Sequence, residues 1–284
     1  MNTGWVLLII PGLIWGASFL FIDEVLRAVD PNGVTFLRIC VGFLTLALFP
    51  SARKPVDRAD WGNIIWLGIL WFAFPLSMFP FAEQRVSSAL TGMLNGANPL
   101  FATLVASFIA RRAPSHGVTA GLAVGLVGTF LIALPSLDQG ESSAIGIGLI
   151  LIALVSYGFA LSLARSLQLK YGAVPVIWRA QSVGLILTAP FGIHDLFSAH
   201  WSPVPVLSLL ALGMGGTAIA NVLLASAAGR FGASKASGTT FLIPVVALVL
   251  GLLVRHEQVS WLSVAGCLVC LSGAYVMKRA AASH

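Results

Sequence analysis

Two prolines mark the places where this chain can do chemistry. Pro99 and Pro244 lie inside apolar stretches, and a proline within a helix leaves the carbonyl four residues earlier without its donor. The residues so exposed, Asn95 and Thr240, are both polar, and each pair stands 145 positions apart. At helical spacing Gly92, Asn95, Gly96 and Pro99 share one face, and Ser237, Thr240, Phe241 and Pro244 share another. Released carbonyls beside amides and hydroxyls can hold a small polar solute. The competing reading makes each proline a kink whose carbonyl is satisfied by a neighbouring helix.

Aromatic residues at helical spacing extend these faces. Trp15, Ser18 and Phe19 align, as do Trp71, Pro75 and Met78; Tyr157, Thr217 and Asn221 occupy further apolar runs. The candidate solute-binding set is therefore Trp15, Ser18, Phe19, Trp71, Met78, Asn95, Pro99, Tyr157, Thr217, Asn221, Ser237, Thr240 and Phe241. Aromatic walls with a few amides and hydroxyls suit a neutral or zwitterionic, partly apolar solute. For each aromatic residue, packing is the alternative. Arg38 and Arg179 are the basic residues well inside apolar runs, and both are expected to snorkel or bond loop carbonyls in preference to holding a solute carboxylate. Glu83, Asp23 and Glu24 fall near run ends, so the sequence offers no obvious buried proton carrier. The C-x-x-C of Cys267 and Cys270, beside Gly266 and Gly273, reads as a packing face. No third cysteine or histidine lies near in sequence to complete a metal site, and no metal or cofactor is expected.

The elements that position these residues follow from composition. Of 284 residues 58% are hydrophobic and 9% charged, with mean hydropathy +0.94, far from a soluble domain. The net charge of +6 is scattered between apolar runs without a basic stripe, which argues against a nucleic-acid partner. Runs long enough to cross a bilayer core of ~30 Å cover approximately 5–22, 34–50, 61–82, 86–110, 117–135, 144–164, 174–193, 204–227, 236–254 and 260–277. These runs are apolar all round, so the expected fold is an all-α membrane protein of ten transmembrane helices. The first run has neither a basic leader nor a small-residue cleavage site and is read as a retained helix.

The halves resemble each other. An offset of 145 brings Arg85 onto Arg230, Pro99 onto Pro244, Gly121 onto Gly266 and Gly128 onto Gly273, and one of 141 or 142 brings Arg38 onto Arg179 and Trp15 onto Tyr157. The expected units are residues 1–136 and 143–284. Five helices per unit force the two copies to enter the membrane in opposite directions. With the N-terminus inside, the inner loops and tail hold Arg53, Lys54, Arg58, Arg111, Arg112, Arg165, Lys170, Arg230, Lys235, Lys278 and Arg279, against Arg27, Arg85 and Arg255 outside. Both termini are thus expected in the cytoplasm of a bacterial-type cell, with the chain in its inner membrane. Glycines spaced along the fifth and tenth runs, among them Gly117, Gly121, Gly125, Gly266 and Gly273, are expected to pack within the bundle, with a homodimer through these faces the less favoured alternative.

Several local features resemble the drug/metabolite transporter superfamily in its EamA-like branch. They are the two five-helix repeats, the stretch Trp15-Gly16-Ala17-Ser18-Phe19, Phe36-Leu37-Arg38 at the start of the second run, and the Asn98-Pro99-Leu100 and Ile243-Pro244-Val245 centres. The resemblance implies export of small metabolites, with amino-acid exporters the nearest kind and drugs or nucleosides the alternative. It also implies a central cavity lined chiefly by helices 1, 3, 4, 6, 8 and 9. The branch commonly has an acidic residue after helix 9, which Glu257 matches, whereas the corresponding position after helix 4 is Arg112. An enzyme is disfavoured because the five histidines fall in loops or at the tail and no H-E-x-x-H, G-x-S-x-G or phosphate loop is present. A channel is disfavoured because no filter repeat or charged ring is visible.

Overall fold

A computed structural model describes residues 3–231 and 236–282. These residues form helices and turns, with no strand among them. In chain order they are α1 (Thr3–Leu26), α2 (Pro31–Ala47), α3 (61–83), α4 (Ser88–Asn95 and Asn98–Ala110), α5 (His116–Leu137), α6 (Glu141–Tyr171), α7 (Ala173–Asp195), α8 (203–231), α9 (Ser237–Phe241 as a 3-10 turn, then Leu242–Val254) and α10 (Trp261–Ala282). Seven helices are long and apolar enough to cross a membrane, and α4 adds an eighth if its two pieces, bent by 42°, form one span. α2 and α9 are shorter apolar helices. Large side chains such as Phe108, Phe130, Ile186 and Leu253 are exposed around the bundle, as expected of helices that meet lipid.

Local chemistry sets several boundaries. α2 begins at Pro31, three residues before the expected run, because proline is well suited to a first helical turn that needs no N–H donor. The Ser87 hydroxyl accepts from the Leu90 N–H at 3.2 Å and starts α4. Gly172, at φ +84°, separates α6 from α7 in a conformation that side chains resist. α6 runs seven residues beyond its expected apolar limit, and its last turn carries Lys170 and Tyr171 to Asp57 and Asp60 ahead of α3.

Small residues decide the packing. α5 and α10 run together along a glycine seam, where Gly121 lies against the Gly273 carbonyl and Met277 backbone, and Gly128 against the Gly266 carbonyl and Cys270 backbone. Thr129 Oγ1 and Cys270 Sγ are 3.6 Å apart within it, so the C-x-x-C belongs to a packed face. In lipid such close approach gains dispersion contacts that bulkier residues would prevent.

α3 and α8 are each interrupted by a π-helical stretch, Gly68–Ala73 and Ala211–Ile219. A wider turn leaves carbonyls that need new donors. Ser156 of α6 donates to the Leu70 carbonyl at 2.8 Å, and Trp15 of α1 donates through Nε1 to the Gly216 carbonyl at 2.9 Å. The neighbouring contacts are likewise reciprocal: Gly68 lies against Val183 of α7, and Gly213 against Val41 of α2. The first two helices of each half thus support the third helix of the other.

Candidate functional site

The breaks in α4 and α9 meet. Between its two pieces α4 tightens, Gly96 and Ala97 donating to the Met93 and Leu94 carbonyls, and Pro99 occupies the first turn of the second piece. In α9 the 3-10 turn precedes Pro244 in the same way. The helices cross where Gly92 faces Ala247 and Gly96 faces the Pro244 ring, because no side chain on α4 holds them apart.

Beside this crossing is a cavity of about 680 Å³, large enough for a small metabolite. α1 supplies Trp15, Ser18 and Phe19; α4 supplies Asn95, Asn98 and Pro99; Tyr157 comes from α6, Thr217 and Asn221 from α8, and Thr240 and Phe241 from α9. Several polar groups are already engaged within the protein. Ser18 donates to Ile14, and the Thr217 carbonyl accepts from both Gln181 Nε2, at 2.7 Å, and Asn221 Nδ2, at 3.1 Å. The Asn98 amide oxygen is buried without a hydrogen-bond partner.

α3 contributes Trp71, Phe72, Leu76 and Phe79 to the wall. Trp71 and Leu76 are five residues apart, the spacing of a π turn, whereas the expected face of Trp71, Pro75 and Met78 assumed α-helical spacing throughout. Met78 is not among the residues that line the cavity and packs against the hydrophobic core. The Ser237 side chain lies outside the described residues. The other eleven expected residues share the one cavity.

Arg38 departs from expectation. Its Arg179 counterpart bonds the Ala52 and Pro175 carbonyls, a structural role. Arg38 instead lies in the middle of α2, 5% exposed, on the cavity wall. Its one hydrogen bond among the described residues is a long one, 3.4 Å from Nε to Thr217 Oγ1. A Cβ at Gly216 would meet Ser18 Oγ at 2.8 Å, with Arg38 Nη2 at 4.0 Å. Lys278, over the Phe241 ring at 5.7 Å, is a second cation on the wall, and no carboxylate lines it among the described residues. α2, α5 and α10 thus join the helices implied by the resemblance, through Arg38, Val118 and Lys278 among others.

Residues 2–134 and 144–279 each match the EamA-like transporter family. The chain belongs to that family. A relative from Archaeoglobus fulgidus, described as an uncharacterized transporter, is 23% identical over 97% of this chain and 98% of its own length. The uncharacterized transporter YoaV of Bacillus subtilis is 27% identical over 93% and 92%. A probable terminal-alkyne amino-acid exporter of Streptantibioticus cattleyicolor is 22% identical over 96% and 92%. One solved crystal structure shares the fold with TM-score 0.65, covering 97% of this chain and 96% of its own at 19% identity. This protein is therefore an EamA-like membrane transporter.

In this EamA-like bundle the cavity reaches Lys278 and Ala281, near the C-terminal end of α10, at one end. At the other it stops at Ile22 and Phe79, where Phe79 meets Phe19 edge to face at 5.7 Å and stacks on Tyr157 at 6.1 Å. Beyond these rings lies an ionic layer. Arg255 pairs with Asp23 and, at 2.9 Å, with Glu24. Glu257 accepts from the Ser88 N–H and hydroxyl at 3.0 and 2.7 Å and from the Ala89 N–H at 2.9 Å, holding the N-terminus of α4. These contacts tie α1 and α4 to the segment after α9.

Proposed function

We propose that this protein exports small carboxylate-bearing metabolites, amino acids or similar zwitterionic amphipathic solutes, by alternating access across a bacterial-type inner membrane. In this reading ten helices form two inverted repeats, 1–136 and 143–284, with both termini cytoplasmic and the thirteen candidate residues, Met78 excepted, bordering the solute pathway. The seven long helices, the bent α4 and the two shorter apolar helices support the count.

The observation that carries the solute class is Arg38. A guanidinium at this depth is costly unless paired, and it has an aromatic cavity in front of it with no carboxylate on the wall among the described residues. A solute carboxylate supplies the missing partner in the two-pronged geometry that arginine favours. Trp15, Phe19 and Phe241 then enclose the apolar part. The amino-acid exporter among the relatives fits this class.

The test is counterflow of labelled phenylalanine in proteoliposomes, with competition by amino acids, their carboxamides, nucleosides and cationic drugs. Carboxylates should compete and their amides should not. Losing a charge-assisted hydrogen bond costs about 1.5–3 kcal/mol, so Arg38→Gln should weaken amino-acid affinity by roughly 10- to 150-fold. A folded Arg38→Gln protein with wild-type affinity would refute the assignment, and non-saturable flux would indicate a pore.

A further inference from the structure

Glu83, the last residue of α3, is 8% exposed, and both its carboxylate oxygens are buried without a hydrogen-bond partner. It lies one helical turn past Phe79, between the aromatic end of the cavity and the ionic layer. α1, α2, α4 and α6 pack around the final turns of α3. The charged groups that face Glu83 are Asp23 from α1, Arg38 from α2, and Arg255 and Glu257 from the segment after α9. α6 brings Tyr157, stacked on Phe79, and the first piece of α4 contains no ionisable side chain.

Neither cation near Glu83 is bonded to it. Arg255 is paired with Asp23 and Glu24, and Arg38 makes no ion pair with it. Asp23 and Glu257 repel a second anion. Burying a carboxylate among like charges with no donor is far costlier than burying the neutral acid. An ionised Glu83 therefore opposes closure of this end of the cavity, and a protonated one permits it.

We propose that Glu83 is a proton-binding site that couples closure of this end to the uptake of a proton. The inference rests on the transport reading above and adds its driving ion. With this end open, water reaches the carboxylate and delivers a proton, forming an O–H bond on one Oε. Closure seals the neutral acid behind Phe79. When the site next meets water, the O–H bond breaks, the proton returns to solvent and the carboxylate keeps the electron pair. Access to the proton thus alternates with the conformation that moves the solute.

Two measurements on the full-length protein test this. In proteoliposomes loaded for labelled phenylalanine transport, an imposed pH gradient should make the wild type accumulate solute, and Glu83→Gln should lose that accumulation while keeping counterflow exchange. Gradient-driven accumulation that survives in Glu83→Gln, or wild-type counterflow that ignores the gradient, would overturn the proton site and leave the transport reading standing. Absence of any exchange by the wild type, across the solute panel, would sink the transport reading instead. Independently, infrared difference spectra of wild-type protein carrying carbon-13 glutamate, taken between acidic and alkaline buffer, should show a protonated glutamic-acid carbonyl band that Glu83→Gln lacks. No such band in the wild type would overturn the proposal, whether or not the variant folds.

Discussion

Replacing Gly128 with alanine offers a direct test of the seam between α5 and α10. A Cβ at this position would lie 2.2 Å from the Cys270 backbone nitrogen, 2.6 Å from its Cα and 2.7 Å from the Gly266 carbonyl oxygen. Comfortable separations to carbon are about 3.5–4.0 Å, so the helices must part by roughly an ångström. The obstructing atoms are backbone, which cannot rotate aside. A gap of about 0.5–1 Å forfeits a quarter to a half of each facing dispersion contact, and overpacking of this kind costs about 1–3 kcal/mol. We expect the upper part of that range, because Gly121, Gly266 and Gly273 are comparably close to the opposing backbone and would be pulled apart together. Gly148, whose added Cβ meets nothing within 4 Å, supplies the control: alanine there should be neutral or stabilising by up to about 1 kcal/mol. Thermal unfolding of the purified variants in one detergent reads both. If Gly128→Ala melted with Gly148→Ala, the seam would not be packed as described.

Further outcomes follow from the orientation and the end near Asp57. With the termini cytoplasmic, cysteines placed at Ser51 and Ser115 should resist an impermeant thiol reagent in intact cells, whereas those at Gln139 and Ser198 should be labelled; the opposite pattern would reverse the proposed orientation. Hydrogen bonds from Lys170 and then Tyr171, followed by the charge of Lys170, hold the Asp57 carboxyl below its ordinary range. Because the folded-state value is depressed, this contribution to stability is present above the usual carboxylate range of about 4 and disappears as pH falls through the lowered value. The gap in melting temperature between wild type and Lys170→Ala should therefore hold near neutrality and close on acidification. A gap independent of pH would show that the contact contributes nothing through Asp57.

The legible part of the molecule was what depends on hydrophobic runs and on proline. Both α4 and α9 break where Pro99 and Pro244 indicate, and Asn95 and Thr240 reach the cavity for the same reason. The glycine spacing of α5 and α10 marked both for close packing, but not as each other's partner. Met78 lies off the cavity wall, and the π stretch of α3, which changes the spacing on which its place was read, leaves no mark in residue pattern. Arg38 and Glu83 were hidden differently. Their depth follows from how α1, α2, α3 and the segment after α9 converge, and a position counted from a helix end carries no information on which neighbours will be occupied. Lys278 was visible as a charge of the last run, but its place on the cavity wall depends on how α10 meets α9.

The reciprocal bonds at the two π turns bear on how such a chain could arise and be taken apart. Trp15 reaches into α8 and Ser156 into α3, so each half donates to a carbonyl of the other. In the inverted-repeat reading this is one isologous contact used twice, as across the two-fold axis of a homodimer. An ancestral five-helix chain would have formed it only by pairing with a copy inserted upside down. A half expressed alone would carry an open carbonyl within the bilayer, so each half acts as an obligate partner for the other, and a chain cut between α5 and α6 should reassemble from its two pieces.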